Sequence, residues 1–128
     1  MEMGQQIHIL VVDDDTEIRG TLKRILSYAG YEVDDAEDGL EAFEKIQATR
    51  PHLILLDLMM PRMDGYTFAR KLEDQDLHPP IPFIVLSAYL PPKAEGSLKN
   101  ACAHIAKPFD LDQLLDAVAA CAQTTPSA

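Results

Sequence analysis

The 128-residue chain sets 21 Asp and Glu against 11 Lys and Arg, a formal net charge of −10, which excludes a basic surface that binds nucleic acid directly. At 47% hydrophobic and 25% charged residues, it has the composition of one globular domain with a single core. Its longest apolar runs are too short to span a bilayer, its amino terminus lacks the basic and apolar regions of a signal peptide, and Cys102 and Cys121 lack metal spacing. Reduced, inert thiols in a cytoplasmic protein are the expectation.

Residues 7–12, Ile-His-Ile-Leu-Val-Val, predict a strand that runs directly into Asp13, Asp14 and Asp15. Ile18, Leu22, Ile25, Leu26 and Ala29 then recur at helical spacing, with Asp15 or Thr16 placed to cap the helix and Gly30 to stop it. Residues 31–36 predict a short strand. A second helix follows, with Leu40, Phe43 and Ile46 on one face, and ends before Pro51. Residues 53–56 are apolar without interruption, as in a central parallel strand covered on both faces, and Asp57 closes them.

A loop over 58–64 leads to a third helix over 65–74, and 75–82 is a connection with three prolines. Residues 83–86 predict another central strand, ending in Ser87-Ala88. Pro91-Pro92 and Gly96 weaken any helix over 89–100. Residues 103–106 predict an edge strand before Lys107-Pro108-Phe109, and the last helix opens at Asp110 to bury Leu111, Leu114, Leu115 and Val118. Residues 1–122 read as the domain and 123–128 as a tail or the start of a linker.

This rhythm predicts a single doubly wound (βα)5 domain with a five-stranded parallel sheet and a short or irregular fourth helix. Right-handed crossovers place the strand C-termini on one rim, which collects Asp13, Asp14, Asp57, Ser87 and Lys107. Two carboxylates about 4 Å apart repel by roughly 4 kcal/mol at an effective dielectric near 20. A divalent cation relieves that repulsion, and Mg²⁺ combines carboxylates, waters and phosphate oxygens. A carboxylate can itself accept a phosphoryl group, with a lysine and a hydroxyl to hold its oxygens.

These residues match a family. Val-Val-Asp-Asp at 11–14 followed by Arg19, Asp57-Leu-Met-Met-Pro-Arg-Met-Asp-Gly65, Ser87-Ala88 and Lys107-Pro108-Phe109 stand in order and at receiver-like spacing. From about residue 7 to 121 the chain resembles the flavodoxin-like, CheY-like receiver domain of two-component response regulators. The resemblance implies that Asp57 accepts a phosphoryl group from a histidine kinase or phosphotransfer protein. Asp14, Asp57 and the Met59 carbonyl would bind Mg²⁺ directly and Asp13 through water. Ser87, the Ala88 N–H and Lys107 would hold the phosphoryl oxygens.

It also implies a cytoplasmic module that catalyses only its own phosphorylation and dephosphorylation, without membrane or direct nucleic-acid contact. The expected outputs are binding of a downstream protein or output domain and a phosphorylation-dependent homodimer. Met59 and Tyr89, two residues after Asp57 and Ser87, would flank the path of the water that removes the phosphoryl group. The family's aromatic switch position aligns with His104, so the expected switch pair is Ser87 and His104. Asn100-Ala101 replaces the family's Gly-Ala pair, and the Ser87–Lys107 interval is about two residues short.

The competing reading is a Mg²⁺-dependent aspartyl-phosphate phosphohydrolase of the haloacid dehalogenase kind. Its Asp-x-Asp-x-Thr/Val motif is approached by Asp13-Asp14-Asp15-Thr16-Glu17, with Glu17 where Thr or Val belongs. His8, His52 and His78 have no metal-ligand spacing and read as ordinary, partly exposed residues. Met59, Met60 and Met63 read as packing side chains.

Overall fold

The structure is a computed structural model that describes residues 7–57, 81–87, 101–106 and 110–123. In chain order these form β1 (His8–Val12), α1 (Thr16–Tyr28), β2 (Glu32–Ala36), α2 (Gly39–Ala48), β3 (Leu53–Asp57), β4 (Phe83–Ser87), β5 (Ala101–Ala106) and α3 (Leu111–Gln123). The five strands make one sheet in the order β2-β1-β3-β4-β5, and every pairing is parallel. The predicted doubly wound α/β architecture is therefore observed. The expected helix over 65–74 and the segment 89–100 lie outside the described residues.

Alternation along the strands divides the core into two layers. Leu10, Val12, Ile54, Leu56, Phe83 and Val85 pack with Ala42 and Ile46 of α2. Ile9, Val11, Leu53, Leu55, Ile84 and Leu86 pack with Leu22 and Leu26 of α1 and with Leu114 and Val118 of α3. Because both faces are covered, all five residues of β3 are buried. Removing one of its leucines to alanine would cost about 2–5 kcal/mol.

The helix boundaries follow local chemistry. The Asp15 side chain caps α1 by accepting from the Glu17 and Ile18 N–H groups. At the other end the Gly30 N–H donates to Ser27 O and the Tyr31 N–H to Leu26 O, the paired bonds of a Schellman stop. Gly30 occupies φ 106° there, a region costly for any residue with a Cβ. Asp38 caps α2 through the Glu41 N–H at 2.9 Å, and the Glu41 carboxylate reaches back to the Glu37 N–H at 2.8 Å. Asp110 accepts from Gln113 N–H at 2.7 Å ahead of α3.

Three expectations are corrected. Leu40 and Leu111 were expected inside but are 54% and 47% exposed. Both sit in the first turn of their helices, and the buried stripe of α2 instead follows Gly39, Ala42 and Ile46. The edge strand begins at Ala101 rather than 103.

The third correction is chemical. Cys102 and Cys121 are not free thiols but form a disulfide, with Cα atoms 6.0 Å apart. The β4–β5 register passes from Phe83↔Ala101 to Ile84↔Ala103, so Cys102 is the extra residue of a bulge. A bulge re-aims its side chain, here onto the last turn of α3, where Cys121 is buried. His8 and His52 also have a specific relationship: the His8 N–H donates to His52 Nδ1 at 2.9 Å, and the His52 N–H donates to His8 O at 2.7 Å.

Candidate functional site

Register brings the acidic residues together. Val12 of β1 lies opposite Leu56 of β3, so the residues that follow them, Asp13 just past β1 and Asp57 at the end of β3, come side by side at the C-terminal rim. Asp13 is 1% and Asp57 6% exposed, while Asp14, one residue further into the turn, is exposed. One carboxylate oxygen from each of the three lies within 4.8 Å of the others. Bringing three such groups together is costly unless a positive charge compensates.

The donor set fits a hard divalent cation. It is made only of oxygens, two of them from buried carboxylates that the fold holds, and the exposed Asp14 keeps the site open to water ligands. Asp13, Asp14 and Asp57 can thus bind a metal ion.

The turn that presents Asp13 is fixed on several sides. Its N–H donates to Ala36 O at 3.1 Å. Its carboxylate accepts from the Asp15 N–H at 2.9 Å. Its carbonyl accepts from Arg19 Nη1 at 2.8 Å. Arg19 Nε turns the other way, to Asp35 Oδ2 at 2.7 Å, and Lys23 Nζ meets Asp35 Oδ1 at 3.1 Å. Burial alone would push the Asp35 carboxyl up, but the hydrogen bonds and charges of Arg19 and Lys23 outweigh it and hold the group below its ordinary value.

A third basic residue, Lys45, braces β2 from α2. Lys45 Nζ lies 3.2 Å from Asp34 and 3.5 Å from Glu41 and donates to the Asp35 carbonyl. Burial would pull its ammonium down, yet Asp34, and then Glu41 and Asp35, hold it above its ordinary value. Asp35 and Lys45 were missed as site supports in the sequence. Their only signal was an Asp34-Asp35 pair in a strand otherwise expected to pack.

Further along the rim, Asp57 lies opposite Leu86, so Ser87 follows one step beyond it on β4 and pairs with Ala106 of β5. The expected Met59, Ala88 and Lys107 lie outside the described residues, as does Tyr89. His104 is half-buried on β5 opposite Val85, and its Nε2 is buried without a hydrogen-bond partner among the described residues. Asp15, the second aspartate of the phosphohydrolase-like motif, has its carboxylate engaged as the α1 cap. No helix among the described residues is long and apolar enough to cross a membrane.

Known proteins share the sequence pattern and the fold of this chain. The family model of the response regulator receiver domain matches residues 9–119. Response regulator MprA of Mycobacterium ulcerans is 40% identical over 109 residues, covering 85% of this chain and 47% of that protein. This chain therefore spans about half the length of the curated relatives it matches. Chemotaxis protein CheY4 of Vibrio cholerae superposes with a TM-score of 0.84 at 32% identity, over 91% of this chain and 98% of that one. A CheY-like receiver domain protein of Methanospirillum hungatei gives a TM-score of 0.86 at 32% identity, over 94% and 97% of the two chains. None of these matches supports the phosphohydrolase alternative. With its parallel sheet and its acidic rim, the chain belongs to the response regulator receiver domains of two-component systems.

Proposed function

We propose that this receiver works as a phosphorylation switch in which Asp57 takes a phosphoryl group from the phosphohistidine of a kinase or phosphotransfer protein. The observation that carries the reading is the clustering of Asp13, Asp14 and Asp57 within 4.8 Å at the sheet rim. An Asp57 carboxylate oxygen forms a bond to phosphorus as the P–N bond of the donor breaks. The donor histidine carries a proton on its other ring nitrogen, so the departing imidazole keeps the electron pair of the P–N bond and ends neutral.

Asp14, Asp57 and the Met59 carbonyl would hold Mg²⁺ directly and Asp13 through water. Bound there, the ion neutralises charge on the carboxylates and on the phosphoryl oxygens. Ser87, the Ala88 N–H and Lys107 receive those oxygens. Because Ser87 pairs with Ala106, movement of Ser87 toward the phosphoryl group reaches β5, where His104 stands with an Nε2 that is unpartnered among the described residues. His104 then takes the place of an aromatic switch, and the altered surface from Tyr89 to the last helix selects the partner.

Domain limits of 1–122, a cytoplasmic setting, a downstream protein or output domain and a phosphorylation-dependent homodimer complete the reading. The module has no metabolic substrate and turns over only its own phosphoryl group.

Beryllofluoride with Mg²⁺, a phosphoryl mimic, tests the coupling. Amide shifts are expected around Asp57 and through residues 88–106, and the latter should diminish in His104→Ala. Shifts confined to the neighbourhood of Asp57 would place the output surface elsewhere.

A further inference from the structure

The Asp13-Asp14-Asp15 run must do three incompatible things in one turn. It ends a buried strand, starts a helix and holds acidic groups together. Asp15 is committed to the α1 cap. Asp13 is buried, and both its N–H and its side chain are already engaged with Ala36 and Asp15. The remaining backbone group of Asp13 is its carbonyl, which accepts from Arg19 Nη1 at 2.8 Å. Arg19 in turn is anchored by Asp35 at 2.7 Å, and its side chain is only 14% exposed.

We infer that Arg19 and Asp35 form a clamp that positions the acidic turn for a divalent cation; this rests on the metal-site reading above. Neither residue is a ligand. Arg19 joins the first turns of α1 to the C-terminal end of β2 and fixes the Asp13 peptide between them. Mg²⁺ demands near-ideal octahedral geometry at about 2.0–2.1 Å, so a turn free to rotate would lose affinity even with every carboxylate retained. A guanidinium supports this geometry because it is a rigid fork that can donate in two directions at once.

Charge alone predicts the opposite sign, which makes the clamp separable from simple electrostatics. A positive group near a cation site repels the cation, so removing Arg19 should tighten Mg²⁺ binding if charge were its only contribution. If it positions the turn, removing it should weaken binding. Asp35 neutralises much of the guanidinium charge, which lets the fork sit beside the site at small electrostatic cost.

Calorimetric Mg²⁺ titration of the full chain tests this. In Arg19→Ala the dissociation constant should rise about tenfold, as found for supporting groups behind metal ligands. Arg19→Lys, with the charge but without the fork, should not restore wild-type affinity. Adding Asp35→Ala to Arg19→Ala should cause little further loss, because the two act as one unit.

Unchanged or tighter Mg²⁺ binding in Arg19→Ala, or full rescue by Arg19→Lys, overturns the clamp. Should Arg19→Ala fail to unfold cooperatively, Arg19→Gln, which keeps much of the volume, must show the same weakening, and wild-type affinity there overturns the inference as well. A wild-type chain that binds no Mg²⁺ overturns the metal-site reading itself, and the clamp with it.

Discussion

Cys102 of the edge strand and Cys121 of the last helix are joined by a disulfide across a sequence separation of 19. The bond closes a loop of the unfolded chain and so limits its conformational freedom. Reduction, or Cys102→Ser, should lower unfolding stability by about 3 kcal/mol on a chain-entropy basis. Urea denaturation with and without a dithiol reductant measures this. Coincident curves would mean that the link adds nothing to stability.

Acid should release the Arg19–Asp35–Lys23 group. The folded carboxyl of Asp35 titrates below its ordinary value of 3.8. Its contribution is therefore fully present above that value and is lost as pH falls through the lower folded value. For partly screened pairs this amounts to about 1 kcal/mol. Asp35→Asn should flatten the acid limb of a stability–pH profile, and a profile that keeps its wild-type slope would contradict the assignment.

Asp14 is the exposed member of the acidic cluster, so Asp14→Ala should leave the core intact. Relief of carboxylate repulsion should keep the unfolding midpoint of the metal-free protein at or above that of wild type. Mg²⁺ binding should weaken. Equal Mg²⁺ affinity in both proteins would remove Asp14 from the site.

Met59 and Tyr89 are bulky and carry no carboxylate or amide to orient water. Self-dephosphorylation should accordingly be slow, and Met59→Asn combined with Tyr89→Glu should accelerate it. Phosphate release that is no faster in the double variant would undo the shielding argument.

The readable parts of this molecule were those whose cause is local. The uninterrupted apolar run of β3 showed a strand covered on both faces, Asp15 or Thr16 and Gly30 marked the ends of α1, with Asp15 proving to be the cap, and Asp57 stood out as a carboxylate closing a buried run. Leu40 and Leu111 misled because helical periodicity does not fix which first-turn residue faces inward. The disulfide was hidden because it depends on a bulge that re-aims Cys102 toward a helix distant in sequence. Asp35 escaped notice for a similar reason, since only the β1–β2 pairing brings that strand beside the acidic turn and Arg19.

The central claim, that Asp57 is the phosphoryl acceptor, is tested most directly by intact-mass and peptide mass spectrometry after incubation with acetyl phosphate and Mg²⁺. The wild type should gain one phosphoryl group on the peptide containing Asp57, and Asp57→Asn should gain none. Labelling of Asp57→Asn to the wild-type extent would contradict the account.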